Sequence, residues 1–133
     1  MREVECLVTL CLMPRILIVD DDDAIRAMLY DLLSDKYECN TASTAEEALQ
    51  DIAVETYDAI LTDIAMPGLT GLELLKKIQE HDSATPVILI SGNGGEQDPE
   101  DLEALGAFAY VTKPFNLDEI EQVVERAVEG DRK

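Results

Sequence analysis

The sequence predicts an α/β protein, with a doubly wound parallel sheet of five strands and five helices on both faces of that sheet. Strand-like and helix-like segments alternate from Arg15 to the end of the chain. Such alternation is typical of parallel sheets built from βα units. Four of the strand-like runs are almost wholly apolar, as expected for strands that are buried on both faces.

The predicted strands are four clear runs and one weaker run, at 16–19, 38–42 (the weaker one), 59–62, 87–90 and about 107–112. A helix-like segment follows each of them. In the first helix the apolar residues follow the i, i+3, i+4, i+7, i+8 spacing of an amphipathic helix: Ile25, Met28, Leu29, Leu32 and Leu33. Asp22 or Asp23 is expected to cap its start.

The other helices are marked by capping residues and apolar spacing. Thr44 and Glu47 form a capping-box pattern before the second helix. The third contains Leu72, Leu75 and Ile78, and the fourth begins at Asp98-Pro99, contains Leu102 and Leu105, and ends at Gly106. A second capping box precedes the fifth helix, whose core-facing residues are predicted to be Leu117, Ile120, Val123, Val124 and Ala127.

The composition excludes several functional classes. The chain of 133 residues carries 29 acidic and 10 basic side chains, for a net charge of −19. Such a chain repels nucleic acid and anionic membranes, which bind through Lys and Arg. The three cysteines follow no disulfide or zinc spacing, which fits a reducing cytoplasm. We expect residues 1–12 to be an N-terminal extension of unknown role and residues 13–133 to form one domain.

Polar residues close four of the predicted strands. Asp20 and Asp21 follow the first, Asp63 follows the third, Ser91 the fourth and Lys113 the fifth. Open α/β sheets bind ligands at the carboxyl ends of their strands. Three carboxylates, a hydroxyl and an ammonium group at that edge predict a site for a divalent cation and a phosphoryl group.

The spacing of these residues carries a resemblance to a known family. Asp63 is followed by Ile64-Ala65-Met66-Pro67 and Gly71, with Asp20-Asp21 about forty residues before it and Lys113-Pro114 about fifty after it. This pattern resembles the receiver domain of two-component response regulators, over roughly residues 14–128. The resemblance implies the flavodoxin-like strand order 2-1-3-4-5.

The resemblance also implies a role for each residue of the site. Asp63 matches the aspartate that accepts the phosphoryl group. Asp20, Asp21, Asp63 and the backbone carbonyl of Ala65 match the ligands of Mg²⁺, a cation that favours oxygen donors. Lys113 matches the lysine that pairs with a phosphoryl oxygen.

A second set of residues matches the conformational switch of the family. The resemblance implies that the Ser91 hydroxyl reaches the phosphoryl group and that the Tyr110 ring turns in or out with it. The fourth helix, fifth strand and fifth helix would then repack. Pro114 resembles the cis-linked proline of the family. Gly92 is a departure, because a small alanine is more usual at that position.

The function expected from the resemblance is that of a stand-alone receiver, because the sequence leaves no room for an output domain. Its expected partners are a histidine kinase or histidine phosphotransfer protein and a downstream protein target, without direct binding to nucleic acid or membrane. The first helix and residues 114–116 are expected to select the kinase. We expect no turnover of an external substrate, and a monomer or a weak, phosphorylation-linked homodimer.

Three alternatives remain open on the sequence. In the first alternative, the chain is an interaction domain whose binding does not depend on phosphorylation. In the second, it is a receiver excised from a larger hybrid kinase or transcription regulator. More remotely, Asp20-Asp21-Asp22 resembles the Asp-x-Asp of haloacid-dehalogenase-like phosphatases, in which Asp20 would be the nucleophile. Ala24 departs from the Thr or Val of that motif.

Overall fold

The computed structural model describes residues 13–66, 68, 70–81, 84–92 and 106–130. Five strands and four helices alternate along these residues. They are β1 (Arg15–Val19), α1 (Asp23–Leu33), β2 (Glu38–Ala42), α2 (Ala45–Val54), β3 (Ala59–Asp63), α3 (Gly71–His81), β4 (Val87–Ser91), β5 (Ala109–Thr112) and α4 (Leu117–Gly130). The predicted helix with Leu102 and Leu105 and the extension at residues 1–12 lie outside the described residues, and α4 is the fifth helix of the prediction.

The strands form one sheet in the order β2-β1-β3-β4-β5, and every neighbouring pair is parallel. This confirms the predicted order. The weak strand prediction at 38–42 is also confirmed. Its signal is weak because β2 is an edge strand, of whose residues only Ala42 is buried.

Two apolar clusters, one on each face of the sheet, explain why the strands are apolar throughout. Successive strand side chains point to opposite faces. Leu17 packs with residues of α2 and α3, whereas Ile16 and Ile18 pack with residues of α1 and α4. This alternation sets the register, because a slip of one residue would exchange the two faces.

One predicted core position is wrong, and one apolar residue of the amphipathic pattern in the first helix is exposed. Leu117 is 43% exposed because it is the first residue of α4, where the helix has not yet reached the apolar cluster that holds Ile120. Met28 is 37% exposed on α1, at the margin of the buried stripe formed by Leu29 and Leu33. The pattern therefore predicts the helices correctly but overestimates the width of their buried faces.

Side-chain caps fix the starts of the helices. Asp22 caps α1, with its Oδ1 accepting from the amides of Ala24 and Ile25. Thr44 Oγ1 accepts from Glu47 N at 3.0 Å, as predicted, and the Glu47 carboxylate reaches back to accept from Ser43 N at 2.6 Å. The capping pattern predicts the helix start and the amide that donates to the Thr44 hydroxyl, but not the contact with Ser43.

Candidate functional site

The predicted site residues lie at the carboxyl edge of the sheet. Asp63 and Ser91 end β3 and β4, while Asp20 and Lys113 directly follow β1 and β5. Sheet-like backbone hydrogen bonds continue past the strand ends, from Asp20 N to Ala42 O (3.1 Å) and from Lys113 N to Ser91 O (2.7 Å). The register that the apolar faces impose therefore brings these polar residues to one edge.

Three carboxylates form a cluster at this edge. Asp20, Asp21 and Asp63 each place one carboxylate oxygen within 4.8 Å of the corresponding oxygens of the other two. Asp20 and Asp63 are only 1% and 5% exposed, whereas Asp21 is exposed. Two carboxylates about 5 Å apart repel each other by roughly 3 kcal/mol where the effective dielectric constant is near 20. The cluster therefore needs compensating positive charge.

Lys113 supplies part of that charge. Its Nζ donates to Asp63 Oδ2 at 3.3 Å and lies 3.7 Å from Asp20 Oδ2. The side chain is 22% exposed, and its Cδ lies 3.8 Å from the place that a Cβ on Gly92 would occupy. The Lys113–Pro114 peptide bond is cis, as predicted. One ammonium group faces three carboxylates, so the cluster keeps an excess of negative charge when all three are ionised.

Burial shifts the titration of the two enclosed carboxylates. Desolvation raises the pKa of Asp20 above its usual value, and the amide of Asp22, which donates to Asp20 Oδ1, opposes that rise only in part. Desolvation also raises the pKa of Asp63, against the opposing effects of Lys113 and of the Ala65 amide. Both carboxylates thus hold a proton more readily than carboxylates in water do.

The donor set fits a hard divalent cation. Asp20 Oδ2 is buried and has no hydrogen-bond partner among the residues that the structure describes. A buried carboxylate oxygen without a donor is costly, and a cation bound between the three carboxylates would satisfy it. Mg²⁺ takes oxygen ligands, keeps several waters and is often held by one or two carboxylates. The acidic cluster therefore suits Mg²⁺.

Ala65 is the fourth predicted ligand, through its carbonyl. The Ala65 amide donates to Asp63 Oδ1 at 3.4 Å, which places the residue beside the cluster. The role of its carbonyl stays a prediction.

The two predicted switch residues lie on neighbouring strands. Ser91 is buried, and its Oγ donates to the carbonyl of Gly92 at 3.2 Å. Tyr110 is half-buried on β5 and packs against the apolar cluster that faces α2 and α3. The structure therefore places the Ser91 hydroxyl in a local backbone contact. The switching roles of both residues stay predictions.

Sequence reasoning missed two contacts of this edge. Gly71 packs on the backbone of Asp63, and its amide donates to the carbonyl of Ile64 at 2.8 Å. The Nη1 of Arg26, in α1, donates to the carbonyl of Asp20 at 2.7 Å. For the second contact the sequence does offer a signal, because Arg26 lies one helical turn after the acidic residues 20–23. Which atom the arginine contacts depends on the path of the backbone.

The comparisons with known proteins agree with this geometry. The family model described as the response regulator receiver domain matches residues 16–125. The chain is 39% identical over 116 residues to the regulatory protein AtoC of Escherichia coli strain K12, in an alignment that covers 86% of this chain and 25% of AtoC. The chain thus spans about a quarter of the length of this curated relative.

Solved structures show the same fold. The structure of the receiver domain of NtrX from Brucella abortus has a TM-score of 0.80 and 37% identity, covering 86% of this chain and 98% of that one. The structure of a response regulator receiver domain protein from Clostridium thermocellum has a TM-score of 0.83 and 28% identity, covering 90% of this chain and 97% of that one. In the described part of the chain, no helix combines the length and the apolar character that a membrane span requires.

Proposed function

The chain belongs to the response regulator receiver domain family, and on that premise we propose that it accepts a phosphoryl group on Asp63. The observation that carries the proposal is the buried carboxylate of Asp63, which contacts Lys113 and lies within one carboxylate cluster with Asp20 and Asp21. The proposed donor is a phosphohistidine of a histidine kinase or of a histidine phosphotransfer protein.

In the proposed transfer, a carboxylate oxygen of Asp63 forms a bond to phosphorus as the bond from phosphorus to the imidazole nitrogen breaks. The electron pair of that bond stays on the imidazole. Phosphoryl transfer depends mainly on positioning and on neutralising the oxygen charges. Asp20, Asp21 and Asp63, with the carbonyl of Ala65, are proposed to hold Mg²⁺, which when bound would neutralise phosphoryl oxygens. Lys113, already at hydrogen-bond distance from Asp63, would contact another phosphoryl oxygen.

The proposed response starts at Ser91. Phosphoryl oxygens are strong acceptors, so a phosphoryl group on Asp63 would compete with the Gly92 carbonyl for the Ser91 hydroxyl. Movement of Ser91 would free space for the half-buried Tyr110 ring. The proposed output surface includes β5 and α4 and would contact a downstream protein. The predicted fourth helix, which the resemblance assigns to the same surface, lies outside the described residues.

We also propose that the chain turns over no external substrate. The phosphoryl group is transferred to the chain itself and is later released by hydrolysis. The proposal also includes a cytoplasmic location, supported by cysteines without disulfide or zinc spacing. The net charge of −19 argues against direct contact of this chain with DNA. The fold and the family favour the receiver over the haloacid-dehalogenase-like alternative.

Intact-mass measurement tests the proposal directly. Wild type, Asp63→Asn and the matched control Asp35→Asn, which alters an exposed carboxylate, are incubated with Mg²⁺ and acetyl phosphate. We expect wild type and Asp35→Asn to gain one phosphoryl group and Asp63→Asn to gain none, with EDTA abolishing the gain. Equal incorporation in all three proteins would overturn the assignment of Asp63. No incorporation in any folded protein, with or without a panel of histidine kinases, would favour a phosphorylation-independent interaction domain.

A further inference from the structure

Arg26 contacts the acidic edge of the sheet without belonging to the carboxylate cluster. It lies in the first turns of α1, and its side chain is only 20% exposed. Its Nη1 donates to the backbone carbonyl of Asp20 at 2.7 Å, while its Nη2 pairs with the carboxylate of Asp23. The planar guanidinium group thus joins the start of α1 to the backbone that follows β1.

The carbonyl that Arg26 contacts belongs to the peptide between Asp20 and Asp21. Both residues contribute an oxygen to the carboxylate cluster, so the orientation of this peptide affects the direction of both side chains. The backbone around it is held by Asp20 N, which donates to Ala42 O at 3.1 Å, and by Asp22 N, which donates to Asp20 Oδ1 at 2.9 Å. Arg26 supplies the contact to the carbonyl between these two points.

We propose that Arg26 is a positioning residue for the cation site, which fixes the peptide between Asp20 and Asp21 so that both carboxylates face Asp63. This inference rests on the proposed Mg²⁺ site. A site whose ligands are already held in place loses less conformational freedom when a cation binds. Hydrogen bonds from charged groups are the stronger ones, and this contact is short and largely shielded from water.

The positive charge of Arg26 and its hydrogen bond to the Asp20 carbonyl have opposite effects on cation binding. A positive charge near the cluster repels Mg²⁺, so removing the charge alone would tighten binding. Releasing the peptide would weaken binding. The sign of the change in Mg²⁺ affinity therefore separates positioning from simple charge, and a lysine substitution keeps the charge but loses the two-pronged contact.

The experiment measures the Kd of Mg²⁺ by isothermal titration calorimetry for wild type, Arg26→Lys and Arg26→Gln. Arg126→Gln is the matched control, because it removes the same charge from an exposed position on α4. We expect both Arg26 variants to raise the Kd by roughly threefold or more, since a charged hydrogen bond is lost. Arg126→Gln should leave the Kd within about twofold of wild type. Circular dichroism checks that every variant is folded.

Phosphorylation by acetyl phosphate provides a second readout. If Arg26 acts through cation affinity, the half-saturating Mg²⁺ concentration rises in both Arg26 variants, but the rate at saturating Mg²⁺ stays near that of wild type. A tighter Kd in Arg26→Gln with no change in Arg26→Lys would overturn the inference in favour of charge alone. An unchanged Kd in both variants would also overturn it. A wild-type protein that binds no Mg²⁺ would instead overturn the cation site itself, and with it part of the proposed function.

Discussion

The α-carbon of Gly71 packs on the backbone carbonyl of Asp63 so closely that a Cβ atom added to Gly71 would lie 2.2 Å from that oxygen. The same Cβ would lie 2.8 Å from the α-carbon of Ile64. The start of α3 therefore rests directly on the end of β3. Both clashing groups belong to the backbone, so neither can move away by a change of rotamer.

Gly71→Ala is expected to lower the free energy of unfolding by about 1–3 kcal/mol, as overpacked sites do, and to slow phosphorylation by displacing Asp63. Urea denaturation and acetyl phosphate labelling measure the two effects. Gly92→Ala is the control, because among the described residues its Cβ would meet only the Lys113 Cδ, at an ordinary contact distance of 3.8 Å. A Gly71→Ala protein as stable as Gly92→Ala would contradict the clash.

The raised pKa values of Asp20 and Asp63 predict a pH dependence of the metal-free protein. Both carboxyls bind protons more tightly in the folded than in the unfolded chain, so their contribution to stability is present below the ordinary pKa of 3.8. That contribution is lost as the pH rises through the raised pKa values. In EDTA at neutral pH, Asp20→Asn should melt roughly 4 °C above wild type, a change of about 1 kcal/mol for a domain of this size.

The advantage of Asp20→Asn should shrink as the pH falls, because the wild-type carboxyl then takes up a proton. Thermal unfolding of both proteins from acid to neutral pH checks this trend, with Asp35→Asn as the control for an exposed carboxylate. An Asp20→Asn protein that becomes less stable than wild type as the pH rises would show that the carboxylate is held favourably in its ionised form. Mg²⁺ should stabilise wild type far more than this variant.

Removing the ammonium group of Lys113 should have opposite effects on stability and on cation binding. Lys113→Met leaves Asp63 and Asp20 without their basic partner, so the metal-free protein should lose about 2 kcal/mol, less than the roughly 3–5 kcal/mol of a fully buried pair. Mg²⁺ should bind more tightly, because a competing positive charge has gone. Denaturation and calorimetry measure both changes, with Lys76→Met on the exposed face of α3 as the control. Weaker Mg²⁺ binding in Lys113→Met would contradict the charge argument.

Asp22 is expected to act as a helix cap and not as a metal ligand. Its Oδ1 accepts from the amides of Ala24 and Ile25 at 2.9 and 3.3 Å. Asp22→Ala should therefore cost about 1 kcal/mol of stability, whereas Asp22→Ser, which keeps a capping oxygen, should cost less. The Kd of Mg²⁺ should stay within about twofold of wild type in both variants. A large rise in that Kd would make Asp22 part of the cation site.

Apolar patterning predicts most of this fold because the sheet is buried on both faces. β1, β3 and β4 are recognisable from runs of Val, Ile and Leu, and the polar residue that ends each run then falls at the carboxyl edge. Patterning is weaker at helix ends, which explains why Leu117 is exposed although the pattern predicts it in the core.

Contacts between a side chain and a distant backbone atom could not be predicted in the same way. The reach of Arg26 to the Asp20 carbonyl and the packing of Gly71 on Asp63 depend on the path of the loops. Apolar periodicity carries no information on that path. The sequence therefore predicts which polar residues meet at the carboxyl edge of the sheet, but not the groups that hold them in place.

The strand order gives the two contacting residues Asp63 and Lys113 unequal mechanical support. β3 pairs with β1 on one side and with β4 on the other, whereas β5 lies at the edge of the sheet and, within the part of the chain that the structure describes, pairs only with β4. Local opening at an edge disturbs fewer contacts than opening at the centre of a sheet. Backbone amides of β3 should therefore exchange with deuterium much more slowly than those of β5. The exchange rate of the β3 amides should approach the limit that is set by global unfolding. The lysine could then detach by fraying of an edge, while the aspartate stays anchored at the most protected part of the molecule.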